Sequence, residues 1–257
     1  MGLSEGRLQR LAGGDLSEVL LVPSDDGNPL VAKGGSSLAT EAAMLRALAA
    51  AGVPVPTVEA EHDDVLLIAH VENDGLFNPH AWADIGAQLR KLHDHEGERF
   101  GWPVDYALGT VALDNRETGD WPRFWGEQRL IAAASLLDRP WRERVDRLAG
   151  RLRELLPSNP PPALLHGDLW TGNILVRGGR LAALIDPACY YGHAEADLAM
   201  LRLFDSVPHI FWESYGALDD GADERLPLYQ LFPALVHMRL FGATYAPMVD
   251  RLLAASE

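Results

Sequence analysis

The sequence predicts an α+β protein of two unequal lobes: a small, mostly β N-lobe with one helix, then a larger, mostly helical C-lobe. Three observations predict it. β-prone runs crowd the first seventy residues, helical patterns fill most of the remainder, and a polar segment, VENDGLFNP, separates the two regimes. The boundary falls after residue 71, giving lobes 1–71 and 72–257. A length of 257 residues suits such a division, being long for one minimal core.

In the N-lobe, EVLLV (18–22) and PLVAK (29–33) are short β-prone runs joined by the turn-rich SDDGN, which reads as a hairpin. A helix should follow over TEAAMLRALAAAG, with Ser36, Ser37 or Thr40 available to cap it, Gly52 to stop it and Pro54 just beyond. DVLLIAH (64–70) is a further strand. In PHAWADIGAQLRKLHDH, Trp82, Ile85, Leu89 and Leu92 fall at helical spacing. WPRFWGEQRLIAAASLL and PWRERVDRLAGRLRELLP predict two more helices, and Pro157 to Pro162 break the chain before three β-like runs, ALLH (163–166), NILV (173–176) and LAALID (181–186). The chain is helical again from Ala194, with Pro233 expected to kink the last long helix or delay its start.

The formal charge of −15 repels nucleic-acid phosphates, so a nucleic-acid partner is not expected, and a nucleotide site must bring its own cations or metal. Cys189 is the only cysteine, which excludes an intramolecular disulfide and a thiolate zinc site. The start carries Glu5 and no long apolar core, and no apolar run approaches the ~20 residues of a membrane span. A soluble cytoplasmic protein without a membrane partner is expected. The oligomeric state is left open.

The most informative stretch is HGDLWTGNILVRGGRLAALIDPACYYGHAEADLAM, from His166 to Met200. Asp168 and Asn173 are five apart and Asp186 follows thirteen later, each at a loop beside an apolar run. Strands ending together would bring these oxygens to one point. Mg²⁺ is a hard cation that prefers oxygen ligands, and a carboxylate with an amide carbonyl, Asp186 with Asn173, can hold it against nucleotide phosphates. A second carboxylate, Asp168, can orient a hydroxyl nucleophile and take its proton. The H-x-D-x-x-x-x-N spacing matches the catalytic loop of kinases. Taken singly, each residue reads as an ordinary turn residue. Together, at both spacings, they are hard to obtain by chance. His166 is read as packing and hydrogen-bonding to hold the loop.

Upstream, Lys33 ends a strand and Glu41 opens the next helix, an arrangement that suits a phosphate-binding lysine with a helix carboxylate as partner. Glu18 competes with Glu41 for that role. Gly13 and Gly14 can form a flexible turn over phosphates. GxxxxGK[ST] is absent, which argues against a P-loop enzyme. HDH at 93–95 lacks further nearby ligands and is assigned to a helix end rather than a metal hydrolase site. Trp170, two residues past Asp168, either lies against an acceptor sugar or belongs to the core.

LLHGDLWTGNIL, IDPACYYGHAEADLAMLRLF and LYQLFPALVHMRLFG resemble the fructosamine kinase (ketosamine kinase) family, within the aminoglycoside phosphotransferase and protein-kinase-like superfamily. FGWPVDYALGTVALDN and WPRFWGEQRL resemble its middle region more loosely. The resemblance implies a two-lobed protein-kinase-like fold whose first lobe binds nucleotide. It implies ATP and Mg²⁺ as cofactors, Asp168 as catalytic base, Asn173 and Asp186 as metal ligands, and Lys33 with Glu41 on the phosphates. Asp197 would brace the catalytic loop, and Ala69, His70 and Val71 would form the hinge that offers backbone groups to adenine. The acceptor would be a sugar hydroxyl of a free or protein-bound fructosamine or ribulosamine, a reaction that can begin protein deglycation.

The sequence also departs from the family. LAGGDLSEV lacks the cysteine that permits a redox-linked dimer in some members, Tyr106 stands where asparagine is usual, and Pro233 and Val236 replace polar positions. The alternatives are a kinase of another hydroxylated amine, such as an aminoglycoside or a choline-like alcohol, and a non-catalytic pseudokinase. Retention of Lys33, Asp168, Asn173 and Asp186 together opposes the latter.

Overall fold

The computed structural model describes residues 8–11, 18–24 and 27–256. The Gly13–Gly14 turn lies outside the described residues, as does the side chain of Glu18. In chain order, β1 (Gln9–Arg10), β2 (Glu18–Val22) and β3 (Leu30–Gly34) precede α1 (Leu38–Ala50), β4 (Val58–His62), β5 (Val65–Ala69) and α2 (Pro79–His93). β6 (Tyr106–Leu108) and β7 (Val111–Leu113) form a short hairpin. α3 (Trp121–Arg123), a π-helical stretch Phe124–Ile131 and α4 (Ala132–Ala134) run on without a break, followed by α5 (Arg139–Ala149) and α6 (Leu152–Leu155). Next come β8 (Ala163–Leu165), a 3-10 turn Thr171–Asn173, β9 (Ile174–Arg177), β10 (Arg180–Leu184) and β11 (Tyr190–Gly192). The chain ends with α7 (Glu195–Phe204), α8 (His209–Tyr215), α9 (Ala222–Phe241) and α10 (Ala246–Ser256).

These elements divide into two compact units. The first comprises Met1–Leu92, Trp170–Ala188 and Val207–Gly216. Its sheet is antiparallel, in the order β1-β2-β3-β5-β4. Val31, Leu66 and Ile68 alternate onto one face and meet Leu38, Ala42 and Leu45 of α1, which fixes the helix across the sheet. The hairpin of β9 and β10 is tied to this unit by polar bonds. Leu184 N–H donates to Pro54 O at 2.9 Å, Leu181 N–H to Asp84 Oδ2 at 2.8 Å, and Gly178 N–H to Asp74 Oδ2 at 2.8 Å. α2 buries Trp82, Ile85, Leu89 and Leu92, the face its periodicity predicts.

The second unit comprises His93–Leu169, Cys189–Ser206 and Ala217–Glu257. Its core is aromatic. Trp121, Phe124, Trp125, Phe232 and Tyr229 pack ring against ring. Arg129 is fully buried among them, its guanidinium carbon 4.5 Å from the Phe124 ring centre and 4.3 Å from that of Tyr190. Cys189 is buried beside this core, and burial, with the Asp197 charge, pushes its thiol well above the ordinary range.

Several local expectations need correction. Ser37 holds the N-cap position of α1 but at φ 66°, with no capping bond from its side chain, and Thr40 lies inside the helix. The final long helix runs through both Pro227 and Pro233, so Pro233 does not delay its start. β1, β4, β6, β7 and β11 have no counterpart in the sequence expectations. No helix among the described residues is long and apolar enough to cross a membrane.

Candidate active site

The first unit gathers a charged triad. Lys33 lies on β3 and is only 4% exposed. Its Nζ donates to Glu41 Oε1 from the first turn of α1 and, at 2.7 Å, to Asp186 Oδ1. Burial alone lowers a lysine pKa, but the charges of Glu41 and Asp186 and their hydrogen bonds outweigh it, so Lys33 is raised above its ordinary value. Burial raises the Glu41 carboxyl against the opposing pull of Lys33. Lys33 is therefore a cation at neutral pH, held by two carboxylates.

Asp186 sits two residues past β10 with φ 54°, a left-handed backbone that a non-glycine residue adopts at a cost and that recurs at functional sites. Its side chain is 39% exposed, in contrast to the buried Lys33. Asn173 closes the 3-10 turn before β9 and is 5% exposed. The hairpin register pairs Leu184 with Ile174, and Ile185 N–H donates to Asn173 O at 3.0 Å. The strands thus end together and bring Asn173 beside the approach to Asp186. A carboxylate and an amide oxygen make a donor set that fits a hard divalent cation. No group of three or more His, Cys, Asp or Glu residues suited to a metal occurs among the described residues.

The second unit holds the loop that carries Asp168. β8 pairs with β11 and delivers His166, which is fully buried. Asp197, in the first turn of α7 and 2% exposed, reaches back under the loop. Its Oδ2 accepts from His166 N–H at 2.7 Å and its Oδ1 from Gly167 N–H at 2.9 Å. His93 Nε2 meets Oδ2 at 3.3 Å from the end of α2. Gly167 has φ 81°, the left-handed turn that glycine permits and that lets both N–H groups face one carboxylate. Asp168 N–H then donates to His166 Nδ1 at 3.3 Å. His93 of HDH, assigned from the sequence to a helix end, has a contact with Asp197 that was missed because no spacing marks it.

Ala69, His70 and Val71, the expected hinge, lie at the end of β5. Ala69 N–H is bonded to Thr57 O at 2.8 Å and His70 N–H to Pro29 O at 3.1 Å. Trp170 is 41% exposed, and its ring lies over Gly172, where an added Cβ would stand 2.2 Å from the indole. Of the departures, Tyr106 is half-buried at the start of β6, whereas Pro233 and Val236 are buried inside α9.

A family model described as fructosamine kinase matches residues 9–256. A "Probable ketoamine kinase" of Thermus thermophilus is 35% identical over 267 residues, which span 98% of this chain and 95% of that protein. The crystal structure of a candidate fructosamine-3-kinase from Thermobifida fusca superposes with a TM-score of 0.89 at 32% identity, covering 98% of this chain and 93% of that one. A macrolide 2'-phosphotransferase from Brachybacterium faecium shares the fold, with a TM-score of 0.66 at 17% identity over 98% of this chain and 94% of that one. The fold is α+β and protein-kinase-like, with a mostly β N-terminal region and a helical C-terminal region.

Proposed function

The chain belongs to the fructosamine kinase family and is a phosphotransferase with an alcohol group as acceptor, and we propose that it uses ATP and Mg²⁺ to phosphorylate a sugar hydroxyl of a fructosamine or ribulosamine. The observation that most supports this is the buried Lys33, held between Glu41 of α1 and Asp186 of the β9–β10 hairpin. A buried ammonium with a half-exposed carboxylate beside it suits phosphate on one side and a metal on the other.

In this reading residues 1–71 are the nucleotide-binding lobe and 72–257 carry the catalytic loop and the metal and acceptor sites. The N–H groups of Ala69 and His70 are engaged within the protein, which leaves the N–H of Val71 as the hinge donor to adenine. Lys33 holds the phosphates as a point charge, and Glu41 keeps its ammonium in place. Asn173 and Asp186 would hold Mg²⁺. When bound, that ion neutralises charge on the phosphate oxygens during transfer.

Asp168 orients the acceptor hydroxyl. The hydroxyl oxygen forms a bond to the γ-phosphorus, the bond from that phosphorus to the bridging oxygen of ADP breaks, and the hydroxyl proton passes to the Asp168 carboxylate. His166, Gly167 and Asp197 fix the loop so that Asp168 meets the hydroxyl in one geometry. The exposed face of Trp170 covers the C–H groups of the sugar. A protein-bound ketosamine is an acceptor of the same chemistry, and its phosphorylation is the first step of deglycation.

Charge favours a second reading. An excess of fifteen negative charges attracts an aminoglycoside more than a ketosamine. A ketosamine is preferred only where the pocket discriminates by shape and by hydrogen bonds to the sugar. The test measures ADP release with fructosyl- and ribulosyl-lysine, kanamycin and choline under matched salt. The expected result is the highest kcat/KM for a ketosamine. A higher value for kanamycin rejects the ketosamine and leaves the kinase, and no ADP release with any acceptor rejects the transferase reading.

A further inference from the structure

The second unit carries an open cleft of about 760 Å³ that the roles above leave unused. Trp102, Pro103, Val104, Asp105, Arg116 and Glu117 line it. Resting on the ketosamine reading, we propose that this cleft receives the amine-derived arm of the acceptor, an alkyl chain that carries positive charge.

Topology places the cleft at the loop end of the small sheet. Gly101 exchanges both backbone bonds with Tyr191, 2.9 and 2.8 Å. The pairing is antiparallel, as is that of β11 with β8, in which Tyr190 faces Leu165. Trp102 is therefore level with Leu165, two strand spacings away, a lateral offset of about 10 Å. Asp168 follows Leu165 by three residues. An extended arm leaving a sugar at Asp168 covers that offset in about eight bonds, at roughly 1.2 Å of advance per bond.

The walls are held firmly. Asn115, 1% exposed, accepts from Trp102 N–H through its backbone oxygen at 2.9 Å and donates from Nδ2 to Val104 O at 3.1 Å. Its own N–H donates to Asp105 Oδ1 at 2.8 Å, and its Oδ1 accepts from the buried Arg129 at 2.7 Å. The Trp102 ring stacks on Tyr191, with centroids 6.0 Å apart. Such preorganisation lowers the ordering cost of binding.

The chemistry of the lining selects the occupant. Trp102, Pro103 and Val104, the last 53% exposed, offer apolar cover to a methylene chain. Arg116 is engaged by Asp114, with Nε at 3.0 Å from both oxygens and Nη2 at 2.6 Å from Oδ2. Asp105 and Glu117 add two further carboxylates, three in all against the guanidiniums of Arg116 and of the buried Arg129, so the local field favours a cation. An ammonium beside indole and carboxylate gains from both.

The test compares two acceptors, the fructosyl derivative of 1,5-diaminopentane, whose arm ends in an ammonium, and 1-amino-1-deoxyfructose, which has no arm. The quantity read is the ratio of their kcat/KM values. In the wild type it is about tenfold in favour of the armed compound, from two or three contacts of exposed strength. In Glu117→Gln it falls severalfold, and in Val104→Lys, an exposed position, it falls to one or below. Loss of folding lowers both activities and leaves the ratio intact. A wild-type ratio of one, or a ratio unmoved in both variants, overturns the proposal. Turnover of the armless compound with a flat ratio rejects the cleft alone, and turnover of neither rejects the ketosamine reading as well.

Discussion

The two units hold their functional groups by opposite means. In the first, Lys33, Glu41 and Asp186 are joined charge to charge. In the second, the loop of Asp168 is pinned by neutral backbone N–H groups on the carboxylate of Asp197. Charge pairs can exchange partners. In the proposed reading Asp186, half-exposed, trades Lys33 for a cation while Lys33 turns to phosphate. N–H groups buried against one carboxylate have no such alternative, since leaving them unmade costs the full desolvation penalty. One unit is built to be rewired by its ligand and the other to stay fixed.

Four measurements test this contrast. The largest effect is expected for Asp168→Asn, which keeps shape but cannot take a proton. Its kcat should fall about 10³-fold, while nucleotide affinity by calorimetry stays near wild type. Retention of most of kcat would remove Asp168 from the chemistry.

Next in size is the charge-paired side. Lys33→Met leaves a buried carboxylate unpaired and should cost about 3–5 kcal/mol in denaturant unfolding, with kcat/KM for ATP reduced strongly. Lys33→Met/Glu41→Met removes both charges and should recover most of that stability without recovering activity. A double variant as unstable as the single one would mean that the triad contributes to the fold beyond its charge balance.

Asp197→Asn tests the fixed side. It turns a two-oxygen acceptor into one oxygen and one competing donor, so one N–H of the loop loses its partner. The expected cost is about 2–3 kcal/mol, with a fall in kcat and little change in nucleotide affinity. Wild-type stability would show that the loop is held elsewhere.

The smallest effect is a slope with pH. Burial, then the charges of Arg225 and His93, lowers His193 to about 3. Its neutral ring meets the Tyr229 hydroxyl at 2.8 Å. A histidine depressed in the folded state binds its proton in the unfolded state first. Stability therefore falls as pH drops from the ordinary 6.5 towards 3, by up to about 1.4 kcal/mol per pH unit. Unfolding of His193→Gln between pH 7 and pH 5 should show a shallower slope, with the difference approaching one proton at about pH 5. An identical slope would mean that His193 is already open to solvent.

Much of the candidate site was legible because its groups are close in sequence. Asp168, Asn173 and Asp186 share one strand–turn–strand passage, and Lys33 and Glu41 flank one turn. Residues held by distant partners were not legible. His93 meets Asp197 from 104 residues away, and Arg129 in EQRL reads as a helix-surface residue until three aromatic rings close over it. β4 was hidden because VEAEH is mostly exposed at the edge of its sheet, so no buried alternation marks it. Tyr190 to Gly192 form too short a run for strand periodicity, and tertiary pairing with β8 makes the strand. Pro233 did not mark the start of α9, because the helix begins at Ala222 and runs through the proline in a buried stretch.

The buried Cys189 has a practical consequence. It is the only cysteine of the chain, its thiol is shut from solvent, and its pKa is pushed well above the usual value, so little thiolate exists to meet an alkylating dye. The native background is chemically silent toward maleimides. Cysteines introduced at Leu76 in the first unit and Leu136 in the second, which are 62% and 78% exposed, would take label without first removing Cys189. A fluorophore pair at those two points would report, molecule by molecule, how the units respond as nucleotide and acceptor are added.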